Sequence, residues 1–213
     1  MKTYLIAAIA ALTLTPLAAF AGGTSDTVYE AEPVVYVAAP YDRGIELRFT
    51  TTGTSTDDLG DNWELRGGFE ALSYSVAGGV STLTFYGEFG AVNANEFGAV
   101  GAEYDWTTAL SQATDLTLEA DVAYVMFNDF NDGDVLVTPN ANLTFYATDN
   151  LAVFGEVGYT WDATNDWTRQ GGYTELGVDI AASDSISIVS SVIKPFDSID
   201  DDVRGSLEVK FNL

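Results

Sequence analysis

Two residue types are missing altogether: among 213 residues there is no cysteine and no histidine. Without cysteine the chain has no disulfide framework and no thiolate nucleophile. Without imidazole it lacks the usual general base of proteases, phospholipases, acyl-transfer enzymes and deacylases. Positive charge is also scarce. Eight Lys and Arg stand against 32 Asp and Glu, a formal net charge of −24. A chain this acidic is repelled by phosphate, so nucleic acid is not an expected partner. It is not a disordered polyanion either, because 47% of its residues are hydrophobic and 13% aromatic.

The first 21 residues read as a targeting segment. Lys2 supplies a short positive start, Leu5 to Phe20 is almost wholly apolar, and Ala19-Phe20-Ala21 has the small-x-small form of a cleavage site. A cleaved signal peptide, residues 1–21, is expected, with the mature chain starting near Gly22; an uncleaved anchor is the alternative. Residues 22–43, where Pro33 and Pro40 bracket Val34-Val35-Tyr36-Val37, read as an N-terminal tether, a plug or an extra strand. The rest, 44–213, is one domain by length.

From Gly44 onward the hydrophobic pattern has period two, the mark of strands. Leu151, Val153, Gly155, Val157, Tyr159 and Trp161 alternate with Ala152, Phe154, Glu156, Gly158 and Thr160. Leu116 to Met126 and Gly172 to Ala182 repeat the scheme. The spacing predicts strands near 44–52, 62–77, 81–92, 97–108, 115–127, 134–147, 151–162, 171–183, 185–194 and 202–213, each close to the ~9–11 residues that a tilted strand needs to cross a bilayer. The ninth segment breaks alternation and the first is short, so eight strands remain an alternative to ten. Tight links at Ala77-Gly78-Gly79, Ser111 to Thr114, Thr148-Asp149-Asn150 and Ser183-Asp184-Ser185 alternate with longer, mostly acidic ones.

Sixteen charged side chains fall in the strand cores outside the ninth segment, all opposite the apolar stripe. That stripe is rich in Gly and Ala, with aromatics near strand ends: Trp63, Tyr104, Trp106, Phe145, Tyr159, Trp161 and Phe211. Such a face packs a poor core but suits lipid with aromatic girdles. The expected fold is an all-β, transmembrane, antiparallel up-and-down β-barrel.

The signal segment, the amphipathic hairpins such as Leu151 to Ala182, and the last strand together resemble the small outer-membrane β-barrel proteins of Gram-negative bacteria, the OmpA-like and porin-like group. Leu207, Val209, Phe211 and Leu213 are similar to the C-terminal signal read by the barrel-assembly machinery, although such proteins usually end in an aromatic residue. The resemblance implies an outer-membrane location, a periplasmic tether, and outer-membrane lipid, lipopolysaccharide and the assembly machinery as partners. Oligomeric state is left open.

No enzyme activity, cofactor or metal is expected. The run Asp129-Phe130-Asn131-Asp132-Gly133-Asp134 misses the calcium-loop register, because Gly133 is fifth rather than sixth and Asn140 stands where the liganding Glu belongs. Barrel closure makes the first, second and last strands neighbours, and they carry Arg48, Arg66, Arg204 and Lys210, a basic lumen seam. The other strands carry Glu88, Glu103, Asp105, Glu119, Asp121, Glu156, Glu175 and Asp179, an acidic lumen wall. The expected function is a narrow porin-like channel or a membrane-stabilising barrel. The alternatives are an adhesin-type interaction barrel and a secreted soluble β-sandwich.

Overall fold

The computed structural model describes residues 45–53, 62–92, 95–127, 133–197 and 202–213. The chain divides into a segment Met1–Gly44 and a unit Ile45–Leu213. The signal peptide, the tether and most of the acidic links lie outside the described residues. The unit is a barrel of ten strands: β1 (Ile45–Gly53), β2 (Asn62–Val76), β3 (Gly79–Val92), β4 (Asn95–Ser111), β5 (Thr114–Phe127), β6 (Gly133–Thr148), β7 (Leu151–Asp162), β8 (Thr168–Ser183), β9 (Ile186–Phe196) and β10 (Arg204–Asn212). Each pairs antiparallel with its sequence neighbours, and β10 closes on β1 from Glu46↔Asn212 to Gly53↔Gly205. This settles the strand count at ten and removes the sandwich alternative, since a sandwich keeps edges and a closed barrel has none.

The ninth segment is a full member of the barrel. Its alternation fails because Val189 and Ile193 share the inner face with Ser187 and Ser191, opposite Asp179 and Glu175 of β8. Both faces of β9 are therefore partly apolar, and a period-two reading finds no contrast there.

The link from β3 to β4 spans only two residues between Val92 and Asn95. It is shorter than the other links at that end. The other tight turns lie at the opposite end of the barrel, and three of them are built alike. A bulge precedes each, at Ala109/Ser111, Tyr146/Thr148 and Ala181/Ser183. The hydroxyl oxygens of Ser111, Thr148 and Ser183 then accept the backbone N–H two residues on, at 3.1, 3.3 and 3.3 Å. Ser and Thr favour such turns because their side chains copy a backbone acceptor. The last residue of each turn also serves the next hairpin. The carbonyls of Ala113, Asn150 and Ser185 accept from the N–H groups of Tyr146, Ala181 and Asn212, at 2.8, 3.0 and 2.9 Å. The turns are thus tied to one another around the rim.

The outer wall is apolar and exposed. Leu65, Phe69, Val100, Leu143, Leu176 and Val192 all lie on it, with Leu176 65% exposed. Aromatics gather toward its two ends. Tyr74, Tyr104, Trp106, Phe145 and Phe211 lie toward the short-turn end. Trp63 and Phe89 meet edge to face near the far end, where Tyr159 also packs on Trp161 and Phe196.

The turn between β2 and β3 departs from the shared design. Ala77 and Gly78 both have positive φ, 50° and 79°. That is the primed two-residue turn that matches strand twist, but Ala carries its Cβ into the left-handed region. Ala77→Asn should stabilise the barrel by about 0.5–1 kcal/mol. A urea titration of the protein in lipid vesicles would show a raised midpoint; an unchanged or lowered midpoint would count against the strain.

Candidate functional site in the barrel interior

Residues directly opposite each other across a ladder point to the same face, so the register decides which charges meet. The inner face carries Glu46, Glu64, Glu70, Glu88, Glu103, Asp105, Glu119, Asp121, Glu156, Glu175, Asp179 and Glu208 together with Arg48, Arg66, Arg204 and Lys210. With Asp115, Asp134 and Asp162 nearer the strand ends, fifteen acids share the interior strand faces with four bases.

Three of the bases form one row. Lys210 of β10 faces Arg48 of β1, which faces Arg66 of β2. The row is held by acids of its own strands. Arg48 Nη2 donates to Glu46 at 2.8 Å and its Nε lies 3.5 Å from Glu208, while Lys210 reaches the same Glu208 at 3.1 Å. Arg66 instead passes over β3, where its guanidinium stacks on the Tyr86 ring at 3.6 Å, and pairs with Glu103 of β4. The Tyr86 hydroxyl continues in the same direction and donates to Asp121 of β5 at 2.7 Å. Arg204 stands apart from the row, opposite Ile193 near the far end.

The acids on β4 and β5 are arranged differently. Glu103 faces Asp121, and Asp105 faces Glu119. On the other side of the barrel Glu156 of β7 faces Glu175 of β8. Like charges placed opposite one another destabilise a sheet. Glu103, Asp105 and Glu119 converge until one carboxylate oxygen of each lies within 4.8 Å of the others. At an effective dielectric of 20, two such carboxylates would repel by about 3 kcal/mol at that distance when both are ionised. No ion pair among the described residues joins Asp105 or Glu119 to a base. Asn140, the cross-strand partner of Glu119, adds a buried Oδ1 with no hydrogen-bond partner. The corner is rich in acceptors and poor in donors, and its three carboxylates can gather around one cation.

Glu156 is better provided for. It accepts from Asn142 Nδ2 at 3.0 Å and from the Tyr173 hydroxyl at 2.5 Å. Glu88 neighbours Arg66 across the ladder, and Asp179 lies nearer the short turns beside Ala152 and Val189. The C-terminal residues Leu207, Val209 and Phe211 stand on the outer face of β10 against Thr51, Phe49 and Leu47. Leu213 follows the end of the strand.

Tyr86 and Tyr173 are the interior residues that the sequence reading passed over. Each lies across a ladder from a glycine, Gly101 and Gly158, and its ring occupies the space a Cβ would take there. Tyr86 shares its parity with Glu88, so its inward direction was available from the sequence. Its glycine seat depends on a register that no local pattern contains.

Searches for related proteins find no matching family model and no matching curated protein. Among solved structures, the chain is similar to the KdgM porin, with a TM-score of 0.48 and 10% identity over 80% of this chain and 99% of that one. It is similar to the NanC porin, with a TM-score of 0.43 and 10% identity over 79% and 100%. An outer-membrane channel from Pseudomonas putida F1 has a TM-score of 0.45 and 11% identity over 90% and 100%. At these values the likeness carries no functional inference.

Tyr86→Phe removes the donor to Asp121 and should destabilise the barrel by about 1–3 kcal/mol, since a half-buried carboxyl group is left without that donor. Asp121→Asn should reduce the cost of that change. If the two substitutions prove additive in a double-mutant cycle of unfolding free energies, the hydrogen bond is not a source of stability.

Proposed function

We propose that this chain is an outer-membrane barrel of a Gram-negative bacterium, exported by its signal peptide, and that it works as a narrow, cation-preferring channel. The observation that carries the reading is the set of facing acids on an interior wall, Glu103 with Asp121 and Asp105 with Glu119, inside a barrel whose exposed outer wall is apolar. A soluble barrel would reverse that polarity, because its apolar face would fill the inside. A wall serving stability alone would alternate acid and base, whereas this one accepts repulsion. Costs of this kind gather where function demands them.

The interior hydrogen bonds and ion pairs support a path along the wall. Arg66 to Glu103 and Tyr86 to Asp121 each pass over one strand, and the bonds of Arg48, Lys210, Tyr173 and Asn142 join neighbouring strands or residues of one strand. These contacts run along the inner wall between near strands. A surplus of carboxylates concentrates cations in such a bore and excludes anions. The basic row is tied to Glu46, Glu208 and Glu103, which masks its positive field from a passing ion. The sequence has no histidine, so the interior carries no imidazole base.

Planar-bilayer recording of the mature protein across a salt gradient should give discrete steps with a cation-selective reversal potential. Selectivity should be strong near 0.1 M salt and weak at 1 M, because the screening length falls from about 10 Å to about 3 Å. Asp105→Asn with Glu119→Gln should move the reversal potential toward zero. A folded, inserted barrel that stays silent would mean a side-chain-filled, structural interior.

A further inference from the structure

We propose that the bore binds one class of solute, a small organic cation with an apolar body. The acid wall takes its ammonium group, and an apolar strip beside that wall takes its alkyl or aryl group. The strip lies on the inner faces of β4, β5 and β6, between the acids and the far end of the barrel. Phe97 and Ala99 share the inward parity of Glu103 and Asp105 on β4, and Val125 and Phe127 share that of Glu119 and Asp121 on β5. The change from acid to apolar falls at the same level on both strands. Asp105 faces Glu119 and Glu103 faces Asp121; toward the far end Gly101 then faces Ala123, Ala99 faces Val125 and Phe97 faces Phe127. Leu136 of β6 extends the strip, facing Ala123 across the next ladder.

Part of the strip is a floor and part is open. Phe97, Ala99 and Val125 are buried and pack together, with the half-buried Ala123 and Leu136 against them. The Phe97 ring occupies the space that a Cβ would take at its cross-strand partner Gly90, so it lies over the backbone of β3. Phe127, the last residue of β5, stays 48% exposed, its ring centroid 6.3 Å from that of Phe97. Phe127 and Leu136 thus leave apolar surface uncovered on an inner face, where contact with an apolar group is favourable. The charges beside it decide which apolar solute fits. Strands β4, β5 and β6 contain no Lys or Arg, and a third acid, Asp134, faces Val125 within the strip. An anion with the same apolar body would be repelled there, and an inorganic cation has nothing for the strip to hold. Ala123 and Asp121 are two residues apart, about 7 Å along the strand. A short alkylammonium spans that step, with its chain on Leu136 and Phe127 and its head beside Asp121, one step from Asp105 and Glu119.

The inference rests on the channel reading and names the solute class of the same bore. It is tested on the potassium current of the mature protein in planar bilayers, with hexyltrimethylammonium, tetramethylammonium or hexanesulfonate added to the bath. Hexyltrimethylammonium should halve the current at a concentration at least about tenfold below that of tetramethylammonium, the effect of taking about two methylene groups out of water. Hexanesulfonate, with the same body and the opposite charge, should not block. Phe127→Ser with Leu136→Ser should bring the two ammonium ions level, and Leu136→Met should keep them apart. Phe127→Ser alone, at an exposed strand end, should already narrow the difference. Asp105→Asn with Glu119→Gln should weaken both ammonium ions together. Heat-modifiable migration on gels would confirm that each variant is folded. Equal block by the two ammonium ions in the unaltered protein, a difference that survives the double serine substitution, or block by hexanesulfonate overturns the site. A folded barrel that carries no current overturns the channel reading instead. Calorimetric titration of the same three ions into the protein in lipid nanodiscs, with empty nanodiscs as the blank, then decides the site by the same order of affinities.

Discussion

Every part of this structure depends on one constraint: the backbone N–H and C=O groups of each strand must be paired within the protein. A strand cannot meet that demand alone, and an open sheet leaves two unpaired edges. The pairing of β10 with β1, from Glu46↔Asn212 to Gly53↔Gly205, completes the ladder. Once the sheet is closed, alternation along each strand has a fixed meaning, with one face outside and the other inside. The exposed Leu, Val and Phe of the outer wall and the carboxylates of the inner one are two consequences of the same closure.

Closure also explains how the interior tolerates so many like charges. In an open sheet Glu103 and Asp121 would turn toward bulk water and separate. Inside the barrel each strand is held by two neighbours, and the turns are tied to one another through Ala113, Asn150 and Ser185. The scaffold is stiff enough to keep Asp105 and Glu119 opposed. Around Arg48 and Lys210 charge is neutralised within a strand or between neighbours, and beyond them long side chains step over a strand. Arg66 crosses β3 on the face of Tyr86, and Tyr86 reaches β5 because Gly101 leaves room for its ring. The interior therefore has a tied region around Arg48, Arg66 and Lys210 and an acid-rich region around Glu119, and the proposed ion preference belongs to the second.

The outer wall is equally uneven. Its apolar surface suits the proposed lipid contact, and on the described strands Glu96, Arg169 and Lys194 interrupt it.

Much of this was legible in the residues. Period-two alternation from Leu116 to Met126 and Leu151 to Trp161, the turn residues between segments, and the parity of the charges determined an amphipathic antiparallel barrel, because side-chain direction along a strand is a local property. Composition excluded histidine-based chemistry outright. What only the tertiary structure decided is who faces whom. The ninth strand lacked contrast because its inner Val189 and Ile193 are apolar, so its membership, and with it the outward direction of Lys194, waited for the ladder with β8. The facing of Asp105 with Glu119, the reach of Arg66 to Glu103 and the seats of Tyr86 and Tyr173 on Gly101 and Gly158 follow from register and bulges. Register is a relation between two segments, and shifting either by one residue would leave both local sequences unchanged while turning one set of side chains to the other face.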